Sequence, residues 1–201
     1  IDQSDPDNNI TVDYAISGGN EDTDTGTLTF LAGTGTLTQT VSVTTTGDTV
    51  VESDEAVSVT LSNASANSSI GTAVGTSSFT DDDSAGINID SPAPVAEGNG
   101  PGDSTIDFTV SIDQSDPDNN ITVDYAISGG NEDTDTGTLI FLAGTGTLTQ
   151  TVSVTTTGDT VVEADETVSV TLSNASANAS ISTAIGNSSF TDDDLSDINI
   201  D

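Results

Sequence analysis

The 201-residue chain has no lysine, arginine or histidine, and no cysteine, methionine or tryptophan. Without a basic side chain it cannot neutralise phosphates, which argues against nucleic-acid binding. The same absence removes every side-chain partner for an internal ion pair, and without lysine no Lys-to-Asn isopeptide crosslink can form. Without cysteine no disulfide staples the fold and no thiol chemistry is open to it. No apolar run reaches the roughly 18 residues of a membrane-spanning helix, and the first residues do not read as a signal peptide, so no membrane insertion is expected. Aromatic residues make up only 3% of the chain. Paired carboxylates can serve glycoside hydrolysis, but here they lack basic partners and an aromatic platform for a sugar, so the chain does not read as an enzyme.

What is present is acid: 34 Asp and Glu residues give a formal net charge of −34. Such a chain repels itself wherever carboxylates lie closer than a Debye length of about 8 to 10 Å, so folding is expected to depend on cations from solution. High charge with few aromatics is also the composition of disordered chains. The charge here is concentrated in short clusters, however, and the stretches between them alternate apolar and polar residues as half-buried strands do.

Residues 1–90 align without gaps to residues 112–201 with about ten substitutions, among them Thr29 against Ile140, Ser53 against Ala164 and Val74 against Ile185. A repeat of this length suits a string of whole domains, since solenoid units run to roughly 20 to 50 residues. Residues 86–111 precede the second copy and have no counterpart before Ile1. The expected organisation is a first repeat lacking its N-terminal strands (1–83), a complete repeat (84–194) and the first strand of a following repeat (195–201). Completion of the open first repeat by strands from another chain is the alternative.

Seven strands are expected in the complete repeat, near 87–89, 105–112, 121–127, 138–142, 148–156, 167–172 and 185–190. Alternation puts Val152, Val154, Val168, Val170 and Leu172 on one face, with Ser and Thr on the other. Phe108, Tyr125, Phe141 and Phe190 are the expected core anchors. Turn signals such as SGGN, LAGTG and TTGD separate the strands, and no segment has helical periodicity. The fold class is all-β, with tandem antiparallel β-sandwich domains of the immunoglobulin-like type.

The acids recur in three clusters. An acidic turn, GGNEDTDTG, holds Asp22 and Asp24, then Asp133 and Asp135. A loop of pattern GDTVVExDE holds Asp48, Glu52 and Glu55, then Asp159, Glu163 and Glu166. A terminal triplet holds Asp81, Asp82 and Asp83, then Asp192, Asp193 and Asp194. Strand parity sends every second loop of an antiparallel sandwich to the same end, so these clusters can converge. Converging carboxylates with no basic partner call for a hard cation, and Ca²⁺ accepts about 6 to 8 oxygens. The segment 113–120, DQSDPDNN, reads as a polar hairpin loop, with a further ion site as the alternative.

A strand ending in Phe before a Gly-containing turn, the E-x-D-E loop, an alternating strand ending in LSNA and the closing DDD triplet together resemble the Calx-beta domain. That family is the calcium-binding module of sodium/calcium exchangers, integrin β4 and many bacterial surface proteins. The resemblance implies calcium ligands at Glu97, Asp133 or Asp135, Asp159, Glu163, Glu166, Asp192, Asp193 and Asp194. In the first copy it implies Asp22 or Asp24, Asp48, Glu52, Glu55, Asp81, Asp82 and Asp83, with no counterpart of Glu97. The chain departs from the family in its short acidic turn and in Gly158, which stands before Asp159 where the family often has a run of acids.

The expected function is that of a calcium-binding structural repeat in a secreted or cell-surface adhesin or matrix filament, stiffened by Ca²⁺ at the junctions between repeats. Neighbouring repeats, and like chains in a fibre, are the expected partners. A calcium-sensing regulatory module attached to another domain is the alternative. Near-identical tandem copies count against it, because a sensor needs one tuned site.

Overall fold

The structure is a computed structural model that describes residues 1–18, 24–100, 103–129 and 135–199. It divides into two compact units, the first comprising Ile1–Thr49 and Ser53–Asp81 and the second Val50–Glu52 and Asp82–Asp201. Among the described residues both are built from strands alone.

The first unit is one antiparallel sheet of four strands in the order β2-β1-β3-β4: β1 (Ile10–Gly18), β2 (Thr25–Phe30), β3 (Glu55–Ser62) and β4 (Val74–Phe79). Alternation within these strands turns Ile10, Ile16, Phe30 and Val57 inward. Tyr14 lies opposite Gly26, and a methyl group at Gly26 would sit 2.7 Å from the Tyr14 ring, so the glycine gives the aromatic its place across the strand pair. The second copy keeps both residues, with Tyr125 opposite Gly137.

The second unit contains the remaining strands: β5 (Ala85–Ile89), β6 (Val95–Ala96), β7 (Asp103–Ile112), β8 (Ile121–Gly129), β9 (Thr136–Phe141), β10 (Thr149–Thr157), β11 (Glu166–Ser173), β12 (Ala179–Ile181) and β13 (Ile185–Thr191). They form two sheets, β10-β7-β5-β12 and β6-β13-β11-β8-β9. All neighbours are antiparallel except β12 with β5 and β13 with β6. The core between the sheets takes Ile87, Ile106, Phe108, Val110, Val152 and Val154 from one and Ile121, Val123, Val168, Val170, Leu172 and Phe190 from the other. The five residues expected to share a face are therefore all buried, and Phe108, Phe141 and Phe190 anchor the core with Tyr125 packed against it. Two short parallel strands, β6 and β12, are additions to the seven read from the sequence. Strands of two or three residues leave no periodicity to detect.

One identical sequence behaves differently in the two copies. TQTVSVTTT at 149–157 is strand β10, paired along its whole length with β7, where Val152 faces Phe108 and Val154 faces Ile106. The same nine residues at 38–46 form no strand, and Val41 and Val43 are only half-buried. The difference lies in the partner: among the described residues no strand of the first unit pairs with 38–46, and its valines have no second sheet to pack against.

The DQSDPDNN segment is a polar loop tied to the protein. Asp116, 1% exposed, accepts hydrogen bonds from the N–H groups of Asp118 (2.7 Å) and Asn119 (2.8 Å) and from the Asn178 amide (2.8 Å). Burial alone would raise its pKa, but these donors hold it below the ordinary value. In the first copy Asn67 and the N–H groups of Asp7 and Asn8 lower Asp5 to about 2. These oxygens are satisfied by neutral donors within the protein.

The contrast between the two valine pairs generates a prediction. Val154→Ala should destabilise the second unit by about 2 kcal/mol, as expected for methyl groups removed from a closed core. Val43→Ala should change the stability of the first unit by less than about 0.5 kcal/mol. Urea denaturation of the two variants checks both values.

Candidate metal centre

The site begins with a parallel strand pair. β13 runs alongside β6, with Phe190 opposite Val95 and Thr191 opposite Ala96. Both strands therefore end at the same edge of the sheet, and the residues after them leave side by side: Glu97 from β6 and Asp192, Asp193 and Asp194 from β13. The Glu97 N–H donates to the Thr191 carbonyl at 3.1 Å, extending the ladder by one more bond. Acids almost a hundred positions apart in sequence are joined by this two-residue strand.

The third contribution follows β10. A methyl group at Gly158 would lie 2.0 Å from the Gly98 carbonyl oxygen and 2.4 Å from that of Glu97. Only glycine allows this approach, which carries Asp159 up to the other acids. Gly158 thus stands where the family often has an acid because the backbone of Glu97 and Gly98 occupies the space a side chain would need.

Glu97, Asp159 and Asp194 each present a carboxylate oxygen, and the three oxygens lie within 4.8 Å of one another. Glu97 is 5% exposed and Asp194 8%, while Asp159 faces solvent. Glu97 Oε1 and Asp194 Oδ2 are buried and have no hydrogen-bond partner. The surrounding loops are fastened by backbone donors. Asp193 accepts from the Gly98 N–H (3.1 Å), Asp192 from the N–H groups of Glu163 (3.1 Å) and Asp194 (3.1 Å), and Asp159 from that of Val161 (2.6 Å). The Asn99 amide donates to Asp194 Oδ1 at 2.6 Å. Asn99 was not among the residues expected at the site; its one sequence signal is its place in the EGNG turn directly after Glu97.

The electrostatics follow from this crowding. Burial, then the charges of Glu163, Asp159, Asp192 and Asp194, push the Glu97 carboxyl above its ordinary value. Burial also raises Asp194, the Asn99 hydrogen bond opposes the rise, and Asp192, Asp193 and Asp159 add to it. No basic side chain can offset these effects, since the chain has none. Two buried oxygens without donors, beside a third oxygen open to solvent, fit a hard oxygen-seeking cation.

The other expected residues fall into place around this trio. Glu163 is exposed at the rim, near enough for its charge to act on Glu97. Glu166 is half-buried at the start of β11, opposite Phe190. Asp192 and Asp193 brace the loop through the bonds above. Asp135 is exposed and gives its backbone carbonyl to the Ile127 N–H, and Asp24 does the same for Ile16. Neither joins a close carboxylate group among the described residues. Asp22 and Asp133 lie outside the described residues. In the first copy, Asp48 is exposed, Glu52, Glu55, Asp81 and Asp83 are half-buried, and Asp82 is exposed. Asp81 donates its N–H to Asp54 (3.1 Å) as Asp192 does to Asp165 (3.2 Å). Among the described residues the first copy forms no comparable trio.

The second unit is thus a β-sandwich domain with a buried acidic cluster where its loops converge. The Calx-beta domain profile matches residues 11–92 and again residues 81–194. The chain belongs to the Calx-beta family, whose domains bind calcium, are non-catalytic and occur in extracellular or membrane proteins. No curated protein sequence matches the chain significantly. No helix among the described residues is long and apolar enough to cross a membrane.

The raised carboxyls fix the sign of a pH effect. In the folded, cation-free protein Glu97 and Asp194 keep their protons to higher pH than in the unfolded chain, where 4.5 and 3.8 apply. Between those values and the raised ones the folded state binds more protons, so stability falls as pH rises through this window. Asp116 and Asp5, both lowered, act oppositely: their contribution is present above 3.8 and is lost as pH falls toward their folded values. With chelator present, the urea midpoint of the second unit should therefore rise as pH is lowered from neutral to the upper edge of the carboxyl range. Glu97→Gln, neutral at every pH, should flatten that rise.

Proposed function

We propose that the chain is a calcium-binding structural segment of a secreted or cell-surface filament, in which Ca²⁺ rigidifies each repeat and the junction to the next. The observation that carries this reading is the grouping of carboxylate oxygens of Glu97, Asp159 and Asp194 within 4.8 Å of one another, with a buried donorless oxygen on both Glu97 and Asp194, in a protein without a basic side chain. Glu97, Asp159 and Asp194 would hold the ion, and Glu163 and Asp192 stand beside them to complete the oxygen shell. The ion would supply the positive charge that lets these loops close.

Two features support the mechanical role. Near-identical tandem copies suit an array of like units, whereas a sensor needs one tuned site. The terminal triplet of the first copy is also separated from β5 of the second unit by Ser84 alone. A cation held near such a triplet would restrain the chain between one repeat and the next. An extracellular setting suits the chemistry, because sites of about 10⁻⁴ to 10⁻³ M affinity are filled by the calcium found there.

Thermal unfolding of the full chain in calcium and in chelator tests the reading. Binding to the folded state alone adds about 2.7 kcal/mol at a hundredfold excess over Kd, enough to raise the midpoint of a domain this size by several degrees. Glu97→Gln should remove most of the calcium response. Asp107→Asn, on an exposed strand position bonded to Ser153, should keep it. A response that needs millimolar calcium supports the filament; one complete at micromolar calcium supports a sensing module instead. An unchanged midpoint in the parent protein would remove calcium from the account.

A further inference from the structure

The two copies of GDTVVE differ sharply in burial. In the second copy Val161 is 60% exposed and Val162 49%. In the first copy Val50 is 45% exposed, yet Val51, the counterpart of Val162, is completely buried. Val51 is a member of the second unit's hydrophobic core, in the cluster that also contains Ala85, Ile87 and Ile89 of β5. Val50–Glu52 accordingly belongs to that unit, although Thr49 and Ser53 on either side belong to the first. A local sequence preference cannot explain the difference, because the six residues are identical.

We propose that Val162 is an apolar plug for a further repeat of the same kind, seated in that repeat's core as Val51 is seated in the core of the second unit. The residues after the second copy support this occupant. Ile198 matches Ile87 in sequence; Ile87 is fully buried in β5, whereas Ile198 is 95% exposed. Leu195 is 91% exposed. The valine and the strand isoleucine that lie in one core in the second unit are thus both present, and both uncovered, at the end of the second copy. A third repeat would supply the two sheets that cover them. Its junction would be held by burial of apolar surface, which salt and chelators do not remove, so the plug is independent of the bound cation. The inference rests on reading the chain as an array of repeats, and not on ion binding.

The absence of cysteine gives a clean test, since a single introduced thiol is the only one in the molecule. A neutral maleimide avoids repulsion between a charged reagent and the acidic surface. Val51→Cys, Val161→Cys and Val162→Cys are made in the 201-residue chain. The last two are also made in a chain extended after Asp201 by the sequence of residues 91–194, which continues the register as a third repeat. Circular dichroism confirms that the added repeat folds. In the 201-residue chain Val51→Cys should label at least about tenfold more slowly than Val162→Cys. In the extended chain Val162→Cys should gain the same protection, while Val161→Cys stays reactive at both lengths. Equal labelling of Val162→Cys at the two lengths, or labelling of Val51→Cys as fast as Val162→Cys, would overturn the plug. Runs in calcium and in chelator separate the two ideas: loss of the calcium response with protection intact removes the ion and leaves the plug, and the converse removes the plug and leaves the ion.

Discussion

Every carboxylate in this protein must be stabilised without a basic side chain, and that constraint sorts the acids into two kinds. Several are held by neutral donors. Asp13 and Asp124 accept from Thr27 and Thr138 across the strand pair and from Asn63 and Asn174, and both are lowered below the ordinary value by those bonds. Asp5 and Asp116 organise their loops through backbone N–H groups and the amides of Asn67 and Asn178. Abundant Thr, Ser and Asn thus take over the role that Lys and Arg play elsewhere. Glu97 and Asp194 stand differently. They are buried, pushed upward, and left with an oxygen each that no donor reaches. Buried carboxylate oxygens without donors, crowded by further acids, are what a cation would stabilise.

The repeated sequence also separates what a segment prefers from what its surroundings impose. TQTVSVTTT is a strand where β7 is present and none where it is absent. The VV pair is exposed in one copy and contributes a fully buried valine in the other. Both contrasts arise at positions where identical residues meet different neighbours. Identical residues thus take the structure that their neighbours permit, and local preference alone decides neither case.

Much of the architecture could be read from the residues. Alternation in 149–157 and 166–173 placed the core valines, and the turn signals marked where strands end. Asp159 and Asp194 stood among the candidates because they recur in loops that parity sends to one end, whereas Glu97 was implied by the resemblance to the Calx-beta family alone. Three determinants were hidden. β6 is two residues long and carries no pattern, yet it is what sets Glu97 beside Asp192, Asp193 and Asp194. Gly158 read only as a departure from the family's run of acids, and its role depends on a backbone some sixty positions earlier in the chain, at Glu97 and Gly98. The burial of Val51 depends on a core built from later residues. Each is a long-range contact, and sequence periodicity reports only local ones.

The central claim is that Glu97 and Asp194 are kept charged in the folded protein by a divalent cation. Carboxyl carbon chemical shifts of the labelled full chain, followed by NMR while calcium is added at constant ionic strength, test it directly. The account predicts that Glu97, Asp194 and Asp159 shift together and saturably, with Glu97 and Asp194 then titrating at lower pH, while Asp13 and Asp124 stay unchanged. Shifts spread evenly over all acids, or a Glu97 whose titration ignores calcium, would contradict it.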